Sequence, residues 1–509
     1  MFRYVYRGAK CTQSSPPAVM IVVVFAVICV TSAQLTGCGP ATQTETPGTE
    51  ATSADGGVVQ EFSPEAQATP EGSTGTADTN STQETPGPLK WGKGSLSPQL
   101  DQGRPYQINL PAVSGGTPPY QYKLQNSDSK GISLQDSKLN VTLPYQAKVT
   151  PLQLQVVVED QNQQQATLDV TLVGYLPQFE QIPLPAQNAP KARANPAIAL
   201  AGEQILVFGG FLENGAGSNE MWVYNRSQKT WFVAQAKGTL PKAYGAHRMA
   251  IDRIDPTSQS IKGVVFQGMS ADGSAVDASM YRFVLEKQTI TWSKLPYAGE
   301  APNPKLVLST FGYDQHNKRF VLFGGIEFQF GKFPTDVYTM KTQGGKAVWK
   351  THKLPNPPAA RFGALYAMDS SRKRFFIASG DTQRGGLDRF PDDLWSLSLE
   401  GEKLAWTKYS IQGTYAGRRN GVLLVDAPAN RVFLWGGATG TVAPVDLSVV
   451  NLDSKTPTWE TVPSNGPEVR TSTAGVSDPT SGHGFLGFGR TPNFLRDMWR
   501  LRTHAPELD

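Results

Sequence analysis

One aromatic position recurs six times along this chain, at Phe179, Trp231, Trp292, Trp349, Trp406 and Trp459, with steps of 52, 61, 57, 57 and 53 residues. Self-similarity at such a period marks a repeat architecture, in which each unit stacks on its neighbours to bury an apolar face it cannot bury alone. A composition with 50 Gly and 38 Pro among 509 residues favours turn-rich β units over helical ones. The expected fold is all-β, with a six-bladed β-propeller over residues 176–509.

Each unit repeats one internal order. It opens on Arg193, Tyr244, Lys305, Arg361, Arg418 or Arg470, and a first strand then runs to an acidic turn at Asp252, Asp314, Asp369, Asp426 and Asp478. A second, apolar strand ends in glycine: Val207-Phe208-Gly209-Gly210, Leu322-Phe323-Gly324-Gly325 and Leu434-Trp435-Gly436-Gly437 are clear copies, and 265–268, 377–380 and 487–490 are degraded ones. A third strand follows Asn or Asp and carries an apolar-aromatic pair, as with Asn219 before Met221-Trp222, Asp393 before Leu394-Trp395 and Asp497 before Met498-Trp499. The fourth strand carries the recurring aromatic. These residues, six times in register, resemble the kelch repeat across residues 178–502. The resemblance implies four-stranded blades around a central channel.

The last unit ends after Met498-Trp499-Arg500-Leu501 with no fourth strand. Ahead of the first unit, Gln178-Phe179-Glu180-Gln181-Ile182-Pro183 stands alone and copies Thr458-Trp459-Glu460-Thr461-Val462-Pro463 almost position for position. The N-terminal piece is expected to complete the last blade, which removes an exposed edge.

Upstream, Arg3, Arg7 and Lys10 precede an apolar run from Ala18 to Val30. The run is too short to cross a hydrocarbon core of ~30 Å, so residues 1–37 read as a secretory signal. Leu35-Thr36-Gly37-Cys38 resembles the bacterial lipobox, which implies a lipid anchor on Cys38 and a place in the bacterial cell envelope, at the outer membrane or cell surface. Residues 38–90 are rich in Thr, Ser, Pro and Glu, with almost no large apolar side chain, and are expected to form a disordered tether. Residues 91–175 alternate apolar and polar residues around a hairpin signal at Asp160-Gln161-Asn162-Gln163, and resemble a small immunoglobulin-like or cadherin-like β-sandwich acting as a spacer.

In a four-stranded meander the opening residues share one face with the long loops between strands two and three. Arg193, Tyr244, Lys305, Arg361, Arg418 and Arg470 are therefore expected around one mouth of the channel, where five cations would attract anions or acidic groups. The competing expectation is that each arginine caps a carbonyl or pairs with loop acids such as Glu213, Asp272, Asp381 or Asp388. Two loops add aromatics and charge suited to a protein or glycan partner: 327–334 with Phe328, Phe330 and Phe333, and 381–391 with Arg384, Arg389 and Phe390.

Catalysis is not expected. The three cysteines, Cys11, Cys29 and Cys38, all precede the folded part, which excludes the tyrosine–cysteine cofactor of kelch-type copper oxidases. His247, His316, His352, His483 and His504 have no paired metal-ligand spacing, so neither a metal nor another cofactor is expected. Gly482-His483-Gly484-Phe485-Leu486-Gly487 spells a dinucleotide fingerprint inside a predicted antiparallel strand and is read as coincidence. The formal charge of +4 contains no Lys/Arg block, which argues against nucleic acid. A monomeric, membrane-anchored binding protein is expected; the alternative is a carbohydrate-active enzyme of the kelch isomerase type, with His247 as the place to look.

Overall fold

A computed structural model describes residues 87–125, 131–146, 150–328, 331–383, 389–440, 444–464 and 466–505. Cys38, the signal segment, Phe330, Arg384 and Asp388 lie outside the described residues. Those described are all-β, with no α-helix among them.

From Gln178 onward the described strands form six antiparallel four-stranded meanders, of which the second and third gain a fifth strand in parallel pairing (Gln235–Gly238 on Thr289–Lys294, Tyr297–Gly299 on Lys346–His352), beside three short two-stranded pairs. The fourth sheet is representative: Leu365–Asp369, Arg374–Ala378, Leu394–Ser398 and Ala405–Lys408 follow one another across it. The first strands of successive sheets are neighbours, and that of the sixth (Ala474–Ser477) also neighbours that of the first (Ala197–Ala201), so the array closes on itself. This is the arrangement of a β-propeller. The closing sheet takes its fourth strand from upstream: Gln178–Ile182 pairs antiparallel with Met498–Arg502, Phe179 opposite Leu501. Glu180 on that strand pairs with Arg500 and Arg502.

At five of its six positions the recurring aromatic packs a ring between sheets; the sixth, Trp231, packs on Tyr224 of its own sheet at 5.0 Å. Trp292 packs on Phe208 of the preceding sheet at 5.1 Å between ring centroids, Trp349 on Phe266 at 6.2 Å, Trp406 on Phe323 at 4.8 Å, and Phe179 on Trp435 at 5.8 Å. The partner is in each case the residue before the glycine pair. The fourth sheet has Ala378 there, and Tyr415 supplies the missing ring to Trp459 at 4.7 Å. Offset and edge contacts of this kind add to the area buried between sheets.

The glycine pair is set by backbone geometry. Its second position has φ between 91° and 106° and is glycine in all six copies; its first has φ between 51° and 67° and accepts Gln267, Ser379 and Phe488. A Cβ is tolerated in the left-handed region but not near +100°, so the first glycine degrades while the second persists.

A second left-handed position, at Asn195, Ala246, Leu308, Gly363, Asn420 and Ser472, surrounds one end of the channel. Backbone N–H groups there donate around the ring, Asn195 to Ser472, Ala246 to Asn195, Gly363 to Leu308, Asn420 to Gly363 and Ser472 to Asn420, at 2.7 to 2.9 Å. At the seam between sheets two and three, side chains do the joining: Arg248 donates to the Ser309 carbonyl, and Gln267 is bonded to the Ser309 hydroxyl.

The acidic turns close on a recurring pair. Asp314, Asp369 and Asp426 each accept from the arginine that begins the next strand, Arg319, Arg374 and Arg431, at 2.6 to 3.0 Å.

The N-terminal domain packs two sheets on one apolar core, with Gln121–Gln125, Leu152–Glu159 and Gln165–Tyr175 in one and Pro105–Asn109, Ile132–Gln135 and Lys138–Thr142 in the other. Leu89 is buried in that core, so the folded part begins slightly before the expected boundary at residue 91. This domain sits against the acidic-turn face of the fifth and sixth sheets. Buried Arg431 donates to the Gln102 and Thr503 carbonyls, Asn451 to the Gly103 carbonyl, and the Ala505 amide to Asp101. The opposite face of the ring, where the opening residues lie, is left clear of it.

Candidate functional site

The six opening residues do not form the expected ring of available cations. Arg193, Arg361, Arg418 and Arg470 are fully buried, and each is held in one repeated set of bonds. Nε donates to the carbonyl two residues back, at Lys191, Ala359, Ala416 or Glu468. Nη1 donates to the carbonyl at the first position of the glycine pair, Gly209, Ser379, Gly436 or Phe488. The guanidinium pairs with the acid directly ahead of the third strand: Glu220 at 3.3 Å, Asp393 at 2.6 Å, Asp446 at 3.0 Å, and Asp497.

Each arginine thus caps carbonyls, as the competing expectation had it, but among the described residues its acid partner is not one of the loop acids Glu213, Asp272 and Asp381. In the first unit the partner is Glu220 rather than the Asn219 singled out by the repeat. Three of these acids also accept from the indole of the following tryptophan, Trp222, Trp395 or Trp499, at 2.8 to 3.0 Å. Burial pushes the Asp393 carboxyl up, but the hydrogen bonds and charge of Arg361 outweigh it and hold it below its usual range. Four cations neutralised in this way leave no positive ring for a ligand. They fasten the loop base to the first strand. The other two opening residues differ: Tyr244 is half-buried and Lys305 is exposed.

Two further accessible cations on this face, Arg389 and Arg419, share one acid. Asp381, with a fully buried side chain, accepts from Arg389 at 3.2 Å and from Arg419 at 3.0 Å. The two arginine side chains are 45% and 29% exposed, so one carboxylate is shared by two accessible guanidiniums, with a net charge of one cation. Aromatic rings flank them: Arg389 lies 5.1 Å from the Phe390 ring, Arg419 lies 5.5 Å from Phe362, and Phe333 stacks on Phe362 at 5.8 Å. Three successive sheets contribute, through Phe333, through Phe362, Asp381, Arg389 and Phe390, and through Arg419. Of this cluster the sequence had pointed to Arg389, Phe390 and Phe333, and to Asp381 as an acid. Arg419 and Phe362 were missed, although both directly follow an opening arginine; Arg419 is partly exposed there, while Phe362 is buried.

His247 does not reach a site. It is fully buried with its ring edge against Phe208 at 5.0 Å, and neither ring nitrogen has a hydrogen-bond partner among the described residues. Burial lowers its pKa from 6.5 to about 4. A neutral imidazole walled in by Gly209 and Gly268 is a packing group, which removes the residue on which the isomerase alternative rested.

Comparison with known proteins agrees with the repeat. Residues 192–235 match the Kelch motif family, and residues 257–489 match the KLHDC2/KLHL20/DRC7 Kelch-repeats domain. Host cell factor 2 of Homo sapiens is 24% identical over 365 residues, covering 62% of this chain and 43% of that protein. Host cell factor 1 of Rattus norvegicus is 24% identical over 346 residues, covering 60% of this chain and 16% of that protein. Host cell factor of Drosophila melanogaster is 24% identical over 379 residues, covering 67% of this chain and 24% of that protein. The matched region spans less than half the length of these relatives. The glycine geometry, the sheet order and the family matches together identify the chain as one carrying kelch repeats, and it is similar in sequence to the host cell factors.

Proposed function

We propose that this chain is a non-enzymatic binding scaffold, a six-bladed kelch propeller that engages a protein partner through the face carrying Arg389, Arg419 and Phe390. The observation that carries this reading is the shared carboxylate of Asp381: two half-free guanidiniums hold one uncompensated positive charge beside aromatic rings, the residue types that dominate binding hot spots. An acidic patch on the partner complements such a surface. The N-terminal domain, read as an immunoglobulin-like spacer, lies on the other face and leaves this one open.

The test is capture of envelope proteins by the full chain, compared with an Arg389→Ala/Arg419→Ala double variant of unchanged melting temperature. Partner retention is expected to fall by about a hundredfold, as for loss of a hot-spot pair. Equal capture by both proteins sinks the reading, and saturable binding to a glycan array in place of protein transfers the face to a carbohydrate partner.

Anchoring on Cys38 in a bacterial envelope belongs to the same proposal and rests on the Leu35-Thr36-Gly37-Cys38 motif. Cells fed an alkyne-labelled fatty acid are expected to label the chain, and Cys38→Ser to abolish the label. Labelling that survives Cys38→Ser removes the anchor.

A further inference from the structure

The channel is a second candidate site, independent of the face described above. It encloses about 740 Å³ and is lined by the first strands of all six sheets. Its wall is made largely of small or apolar residues, among them Ala199, Gly312, Ala367 and Gly475. Volumes of 300–1,000 Å³ suit small-molecule ligands.

Two cations on its wall form no ion pair among the described residues, the exposed Arg253 and the half-buried Arg248. Arg248, half-buried, reaches from the second sheet across the seam, donating from Nε to the Ser309 carbonyl and from Nη1 to the His247 carbonyl, with its guanidinium 5.9 Å from the centre of the Tyr366 ring. Among the described residues no carboxylate comes within ion-pair distance of it. Arg226, also on the channel wall, differs in pairing with Asp478 at 3.1 Å. Asn195 and Asn420, both half-buried, line the channel toward the same mouth and bring two side-chain amides to that end.

The two carbonyl bonds fix the orientation of the guanidinium and leave its Nη2 edge uncommitted. A planar fork held this way matches an oxyanion in two-point contact. We propose that the channel binds one small oxyanion, the carboxylate or phosphate of a small molecule, on the free edge of Arg248. The anion supplies the local counter-charge that Arg248 lacks, since none of the wall acids Glu203, Asp252 and Asp478 comes within ion-pair distance of it, and the Asn195 and Asn420 amides are placed to select among the groups it carries.

The experiment is a titration of the full chain in chloride-free buffer with inorganic phosphate and, in parallel, with succinate, followed by calorimetry and by thermal melting. One saturable site per chain is expected for at least one of the two, and which one binds tells phosphate-bearing from carboxylate-bearing ligands. Binding is expected to weaken about ten- to a hundredfold in Arg248→Gln, the loss of a charge-assisted hydrogen-bond pair, and to persist in Arg389→Ala/Arg419→Ala. Arg248→Lys keeps the charge without the fork and is expected to fall between, which maintains the test should Arg248→Gln not fold. Absence of saturable binding to both probes by the unaltered chain overturns the proposal, as does equal affinity in the Arg248 variants. Loss of binding only in the Arg389/Arg419 variant moves the anion to the outer face and equally overturns it.

Discussion

Replacing Arg361 by Met is expected to lower the unfolding free energy by about 3–5 kcal/mol, the cost of leaving a buried carboxylate without its partner. The partner left behind is Asp393, whose side chain is only 12% exposed and whose remaining bonds come from Trp395 and the Ser379 amide. The same change at Arg193 is expected to cost less, because its partner Glu220 is 48% exposed and can turn to water. Lys305→Met, at an exposed opening residue, is expected to stay within about 0.5 kcal/mol of the unaltered chain. Urea denaturation of the three variants measures the series. An Arg361→Met protein with an unchanged midpoint contradicts the structural role assigned to these arginines and returns them to the ligand-binding role first expected of them.

Stability is also expected to fall by about 3 kcal/mol as pH drops from about 6.5 through 4, from His247 alone. The folded state holds this histidine neutral, its pKa lowered to about 4 by burial, which outweighs an upward pull from Asp277, with a smaller downward push from Arg248. In the unfolded chain it protonates near 6.5, so between those two values the unfolded state binds the extra proton. The stabilisation is therefore complete above 6.5 and lost on acidification through 4, at 1.36 kcal/mol per unit of difference. His483, also lowered to about 4 by burial and by the stacked His504, adds a smaller loss in the same window because it is partly exposed. In His247→Leu the decline across this range is expected to shrink to the part due to His483 and the carboxylates. Denaturation midpoints at half-unit pH steps decide it, and parallel curves for the two proteins show that His247 does not control the acid limb.

These expectations carry different lessons about reading the chain. The order of turn, glycine and aromatic was visible because each feature answers to a local rule. A φ near +100° admits only glycine, so Gly210, Gly268, Gly325, Gly380, Gly437 and Gly489 persist where their neighbours drift. The recurring tryptophan fills the space beside the preceding sheet, and where its partner shrinks to Ala378, Tyr415 moves in. The strand at Gln178–Ile182 was legible because it copies a segment found once in each complete unit, and it pairs where that copy belongs.

Whether a cation is available to a ligand was decided elsewhere. The arginines at 193, 361, 418 and 470 look, in sequence, like a charged rim. Tertiary structure brings each onto an acid separated from it by a loop of variable length, and the fold buries the arginine in every case. Arg419, next to one of them, turns outward and meets Asp381 from the neighbouring sheet. Periodicity determines which residues face the core or the next sheet, because backbone geometry repeats locally. The protonation, pairing and exposure of a charged group depend on which distant carboxylate, carbonyl or solvent it meets, and that is set only when the chain has folded.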